Sequence, residues 1–156
     1  FLEIVYKDAL SYEFIKAFFM KYGFTPYIEV ENECVLEPTP DFINTVVNQW
    51  NNSPKLSNSN MKKRARYKPE ILKLMSTLDN SWFKFVIEKE SDWNEIEEDF
   101  LKPGLISRHQ IILMPCGQTQ QELLLTRQLA ADVAIREEVR YCDRLHVVLW
   151  DKKTGV

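Results

Sequence analysis

Trp50-Asn51-Asn52-Ser53-Pro54-Lys55-Leu56-Ser57-Asn58-Ser59 is the stretch on which the reading of this chain turns. An apolar run stops at Trp50 and a polar, cation-bearing loop follows. Proline fixes its own φ and biases Ser53 away from helix, so Ser53 and Lys55 are presented on stiff backbone at the end of an expected strand. A hydroxyl and an ammonium held side by side suit an anionic group such as a carboxylate or a phosphate. The plainer alternative is a strand-to-loop exit with a solvated lysine, and taken alone the stretch leaves both open.

Working outward, strands and amphipathic helices alternate. Upstream, Phe1–Tyr6 reads as a strand, and Ser11 offers an N-cap before the stripe Phe14, Ile15, Phe18, Phe19 and Tyr22, which Gly23 ends. Thr25–Glu31 alternates as a second strand, and Val46–Trp50 leads into the loop. Downstream, the basic run Met61–Lys68 reads as a solvated, mobile loop before Pro69, which opens a helix over Glu70–Leu78 with Ile71, Leu72, Leu74 and Met75 as core candidates. Trp82–Ile87 is a strand in which alternation points Lys84 away from Phe83 and Phe85. Asp92–Leu101 is a helix facing inward with Trp93, Ile96 and Phe100, its Glu95, Glu97, Glu98 and Asp99 left to solvent.

The last third repeats the pattern. His109–Pro115 is an apolar strand ending in a second rigid loop, Pro115-Cys116-Gly117. Thr119-Gln120-Gln121-Glu122 is a capping box opening a helix from Gln120 to about Glu137, with core contacts expected from Leu124, Leu125, Leu129, Val133 and Ile135. Leu145–Trp150 reads as the final strand. Such alternation implies an α/β fold with parallel strands and right-handed crossovers. Ligands in such sheets sit beyond the carboxyl ends of the strands, which puts the Ser53–Lys55 and Met114–Gly117 loops at one mouth. A partial β/α barrel and a small doubly wound sheet both satisfy this pattern.

With 156 residues, 45% of them hydrophobic, the chain reads as a single domain over 1–156 or the C-terminal part of a larger one. A net charge of −3 gives no basic field for nucleic acid. Neither a run of the ~20 apolar residues needed to cross a bilayer nor a charged-then-apolar leader is present, so the expectation is no membrane contact and a cytoplasmic location. Cys34, Cys116 and Cys142 are widely spaced with no C-x-x-C pair, so their spacing indicates neither a zinc site nor a disulfide framework, and no metal ligand is assigned.

Ser53-Pro54-Lys55-Leu56-Ser57-Asn58-Ser59 resembles a motif of the 7-carboxy-7-deazaguanine synthases, radical S-adenosylmethionine enzymes of 7-deazapurine (queuosine-type) biosynthesis. A separate block is similar in order and spacing to that family's tail: Leu113-Met114-Pro115, Gly117–Leu123, Arg140-Tyr141, Arg144–Trp150 and Lys152–Val156. The resemblance implies the later part of an incomplete β/α barrel and a ring contraction of carboxy-tetrahydropterin. It also implies S-adenosylmethionine, a 4Fe-4S cluster and magnesium. By position, Ser53 and Lys55 match the S-adenosylmethionine side of the pocket, while Arg144, His146 and the terminal carboxylate of Val156 match the pterin side. No residue of this chain is assigned a catalytic role.

The departures are equally concrete. The closely spaced cysteines that hold the family's cluster are missing, which leads us to expect a missing N-terminal part, either on a longer chain or in a homodimer or other assembly. A Gly-Gly-Glu turn is replaced by Val5-Tyr6-Lys7-Asp8-Ala9-Leu10, and a Glu-Thr-Asn-Gly turn by Glu31-Asn32-Glu33-Cys34. By itself the chain is expected to be inactive in radical chemistry. A non-catalytic module that keeps a pterin or purine pocket, or binds a partner, is the second reading; an unrelated α/β domain is the third.

Overall fold

The computed structural model describes residues 4–5, 17, 19–23, 27–40, 43 and 47–153. Its strands are β1 (Ile4–Val5), β2 (Glu29–Asn32), β3 (Gln49–Asn52), β4 (Ser81–Ile87), β5 (Ile111–Pro115) and β6 (Arg140–Tyr141). They form one sheet in the order β1-β2-β3-β4-β5-β6, and every adjacent pair is parallel. Parallel neighbours need crossovers, and crossovers are right-handed. When each new strand is added on the same side of the last, all crossovers fall on one face, as in an unrolled β/α barrel. A doubly wound sheet instead reverses its direction of growth at a switch point, and this order contains no reversal. β1 and β6 do not pair, so the sheet is an open partial barrel.

The helices are α1 (Lys63–Arg66), α2 (Pro69–Ser76), α3 (Glu90–Ile96), α4 (Gln120–Arg136) and α5 (Leu145–Trp150). Pro69 opens α2 where a missing N–H costs nothing, and Ile71, Leu72 and Met75 turn inward. α3 runs on through a π turn, Glu97–Leu101, which keeps Phe100 on the same inward side as Trp93 and Ile96. In β4 the buried residues Ser81, Phe83, Phe85 and Ile87 alternate with the half-buried Trp82, Lys84 and Val86. Phe83, Phe85 and Ile87 of the first set meet Ile111 and Leu113 of β5 and the inner stripes of α2, α3 and α4 in one core. Phe85 and Phe100 cross edge to face with ring centres 4.9 Å apart.

Four local expectations are overturned, one of them the solvent-facing place of Glu95, which is half-buried and pairs with Arg66. Leu145–Trp150 is a helix rather than the last strand, because β6 just before it has already supplied the sheet position. α4 buries Leu123, Thr126, Ala130, Val133 and Ala134, and leaves Leu124, Leu125 and Ile135 exposed. The basic run is ordered: it carries α1, Arg66 is buried, and the Tyr67 hydroxyl donates to the Asp99 carbonyl at 2.8 Å. The expected N-cap Ser11, the stripe residues Phe14, Ile15 and Phe18, the 6–10 turn and Val156 lie outside the described residues.

Candidate functional site at the carboxyl ends of the strands

Every strand of a parallel sheet points the same way, so the residues that follow each strand share one rim. Here those are Glu33 and Cys34 after β2, Ser53-Pro54-Lys55 after β3, Glu88 after β4, Cys116-Gly117 after β5, and Cys142-Asp143-Arg144 after β6. Arg144 therefore reaches the mouth by following a strand, where the sequence had placed it before one.

The β2–β3 corner of the rim is built on amides. Asn52 is fully buried, and its Nδ2 donates to Ser81 Oγ at 2.7 Å and to the Trp82 carbonyl at 3.1 Å. Its Oδ1 accepts from Asn32 Nδ2 at 3.2 Å and from the Cys34 thiol at 3.4 Å. Cys34 stands at φ 56°, the left-handed conformation a glycine would suit, and the turn is held because its N–H donates to Asn32 Oδ1 at 2.9 Å. The change from the family's turn therefore leaves a formed turn. Burial pushes the Cys34 thiol up to about 12.

The next corner carries the motif. Ser53 N–H donates to the Asn32 carbonyl at 2.6 Å, and the Lys55 ammonium pairs with Glu33 at 3.3 Å, both side chains reaching solvent. Such a cation and anion at one rim match a zwitterion, such as the α-amino acid end of a ligand, in both signs. The loop is tied down from below. Leu56 is buried, and Asn58 Nδ2 donates to the Val86 carbonyl and to Asp92 Oδ2, both at 2.9 Å. Ser57 donates its N–H (2.9 Å) and its hydroxyl (2.6 Å) to Glu95 Oε2. Glu95 Oε1 pairs at 2.7 Å with Arg66, whose Nη1 also donates to the Lys55 carbonyl at 3.0 Å. Burial alone would raise the Glu95 carboxyl, but the Ser57 donors and the Arg66 guanidinium outweigh it and hold it below its ordinary value.

On the far side of the mouth, an open hollow of about 320 Å³ lies among Glu88, Cys116, Gly117, Glu122, Leu125 and Thr126. Burial and the Glu88 charge raise the Cys116 thiol, while the Arg144 charge pulls it down. Arg144 Nε is buried without a hydrogen-bond partner among the described residues. The capping box is present in a shifted form: Thr119 Oγ1 accepts from Glu122 N–H, but Glu122 reaches back to the N–H of Gln118 instead of Thr119. His146 is exposed on α5 and is not a core residue. The structure thus gathers Ser53 and Lys55 at one side of the rim and Arg144 at the other.

Below the mouth, the face of the sheet opposite the core is polar. Lys84 pairs with Glu31 at 3.0 Å, Asn51 donates to Glu29 at 3.0 Å and accepts from Gln49 at 2.9 Å. The Arg140 guanidinium lies 3.7 Å over the Trp82 ring. Alternation had announced the side on which Lys84 lies. Glu33, Asn52 and Arg66 were given no role and Glu95 was assigned to solvent, since each acquires its role from a partner well away in sequence; the run of asparagines in a strand was the one available signal.

No group of three His, Cys, Asp or Glu side chains able to hold a metal comes together among the described residues. Cys34, Cys116 and Cys142 sit beyond three different strands, and this donor set does not fit an iron–sulfur cluster. No described helix is long and apolar enough to cross a membrane.

No family model matches the chain. It is similar to the 7-carboxy-7-deazaguanine synthase of Pyrobaculum aerophilum, with 31% identity over 128 residues, covering 82% of this chain and 54% of that protein. It is also similar to the 7-carboxy-7-deazaguanine synthase of Halobacterium salinarum, with 37% identity over 73 residues, 44% of this chain and 28% of that one. The chain matches about half the length of the first of these and less of the second. Motif, parallel strand order and sequence similarity agree, and the chain is a sequence relative of the 7-carboxy-7-deazaguanine synthases that corresponds to part of such an enzyme.

Proposed function

We propose that this chain supplies the ligand-binding part of a 7-carboxy-7-deazaguanine synthase of the queuosine pathway, and that its mouth takes S-adenosylmethionine on one side and carboxy-tetrahydropterin on the other. The observation that carries the reading is the unbroken parallel order β1 to β6, which puts the Ser53–Lys55 loop and Arg144 on one rim. Lys55 would meet the methionine carboxylate and Glu33 its ammonium, replacing the pair they make with each other. Ser53 would add a hydroxyl donor. Across the mouth, Arg144 would bind the pterin carboxylate, with His146 on the adjoining turn and the Val156 carboxylate as a further contact. S-adenosylmethionine bound to a reduced cluster supplies radical chemistry in such enzymes. The donor set of this chain does not fit that cluster, so its residues bind and orient.

The same misfit favours a second reading, a module that binds pterin or purine without turning it over. Calorimetric titration with carboxy-tetrahydropterin tests the binding claim common to both. Arg144→Ala should weaken binding by about tenfold, the scale of one lost charge-assisted hydrogen bond, with no change in melting temperature. Equal affinity in the two proteins removes Arg144 from the site. Product formation after addition of a cluster-bearing partner separates the enzyme from the module.

A further inference from the structure

The Ser53–Lys55 loop is held by an ion pair between a buried arginine and a half-buried glutamate. Arg66 is 5% exposed and Glu95 15% in their side chains. Arg66 donates to the carbonyls of Lys55 (3.0 Å) and Met61 (3.2 Å), and Glu95 accepts both donors of Ser57. The pair therefore grips the loop on both sides of Leu56. α1 delivers the arginine and α3 the glutamate, elements that otherwise belong to the outer layer. A buried pair is no strong source of stability, since well-packed apolar replacements are often as stable or more so. Its worth here is geometric. The Lys55 side chain is long and flexible, and it reaches one place on the rim only if its own backbone is fixed.

We propose that Arg66 and Glu95 are positioning residues, which set the height and direction of Lys55 for the carboxylate of an amino-acid-type ligand while touching no ligand themselves. The inference rests on the reading of Lys55 as the S-adenosylmethionine side of the mouth. It requires that the pair act through Lys55 and through nothing else.

The experiment is a mutant cycle in the intact protein, with S-adenosylmethionine as the probe. Arg66→Met with Glu95→Leu replaces the pair by apolar side chains, so the melting temperature should stay within a few degrees or rise. Affinity should fall about tenfold in the Lys55 background, and should not fall further once Lys55→Ala is present, because coupled residues are non-additive. Losses that add in full, or an affinity that does not change, overturn the proposal. If the double replacement fails to fold, Arg66→Lys, which loses the fork that grips Lys55 and Glu95 together, reads the same cycle. Amide hydrogen exchange gives a readout without ligand. The N–H groups of Ser59 and Asn60 bond to the carbonyls of Leu56 and Ser57 and touch neither partner. They should exchange about tenfold faster in the double replacement while β4 amides are unchanged, and unchanged protection of the loop also overturns the proposal. Wild-type protein that binds no S-adenosylmethionine, yet shows the exchange effect, counts against the proposed function and leaves the loop device standing.

Discussion

Cys34 carries a larger share of the site's architecture than a lone thiol suggests. A β-carbon at φ 56° is disfavoured, and the cost is met by the Asn32 side chain, which accepts the Cys34 N–H, and by the thiol's own bond to Asn52. Burial lifts the thiol from an ordinary 9.0 to about 12, so it is protonated and inaccessible at neutral pH. Iodoacetamide at pH 8 should leave Cys34 unmodified in the native protein and alkylate it in urea, as read by peptide mass. The linkage has a definite sign. The folded pKa lies above the unfolded one, so the folded state retains a proton that the unfolded chain gives up, and stability falls as pH rises from about 9 towards 12. Residue chemistry of this kind was hidden in the sequence, where Glu31-Asn32-Glu33-Cys34 shows only a turn without its glycine.

Among the elements, α4 shows both what patterning reveals and where it stops. Thr119 and Glu122 mark its start, and the helix begins at Gln120 as they predict. Of its expected core contacts, Val133 is buried and Leu129 packs against the core, but large apolar residues lie on both sides of the helix and three others were misjudged. Leu124, Leu125 and Ile135 are exposed, and the sheet accepts the stripe that contains Thr126, Ala130 and Ala134, whose small side chains let a helix lie close. Leu145–Trp150 failed for a related reason: Val147, Val148 and Trp150 favour strands in isolation, and the tertiary order overrides them. Gly117 belongs to the same junction. A Cβ there would stand 2.9 Å from Leu123 Cδ2 and 3.0 Å from the Leu123 backbone nitrogen. Gly117→Ala should therefore push the first turn of α4 away from the rim and cost about 1–3 kcal/mol in urea unfolding. The hollow beside Cys116 should change shape with it.

For the molecule as a whole, the class of fold was legible because strand and helix patterns alternate throughout; the choice of partial barrel over doubly wound sheet came from the family resemblance and not from the pattern, since strand order is a property of space and not of periodicity. The basic run was misjudged for the same reason. Arg66 looks solvated among its neighbours, and only folding brings Glu95 to it. The cysteines give the clearest test at this scale. Anaerobic reconstitution of these 156 residues with iron and sulfide should leave no bound cluster, read by iron content and by the visible absorption of the sample. Stoichiometric iron would show that the donor set was misassigned.

The asparagine pair of β3 has one more consequence, and it concerns how the chain finds its fold. Most buried strands fix their pairing through greasy side chains that tolerate small errors of fit. β3 instead reads its neighbours through directional bonds: Asn52 to Asn32, Ser81 and Trp82, and Asn51 to Glu29. A shift by one residue would turn both amides to the wrong sides and break their bonds to β2 and β4. Strand β3 thus satisfies its amides against β2 and β4 together in a single alignment, the one that brings Ser53 and Lys55 to the rim.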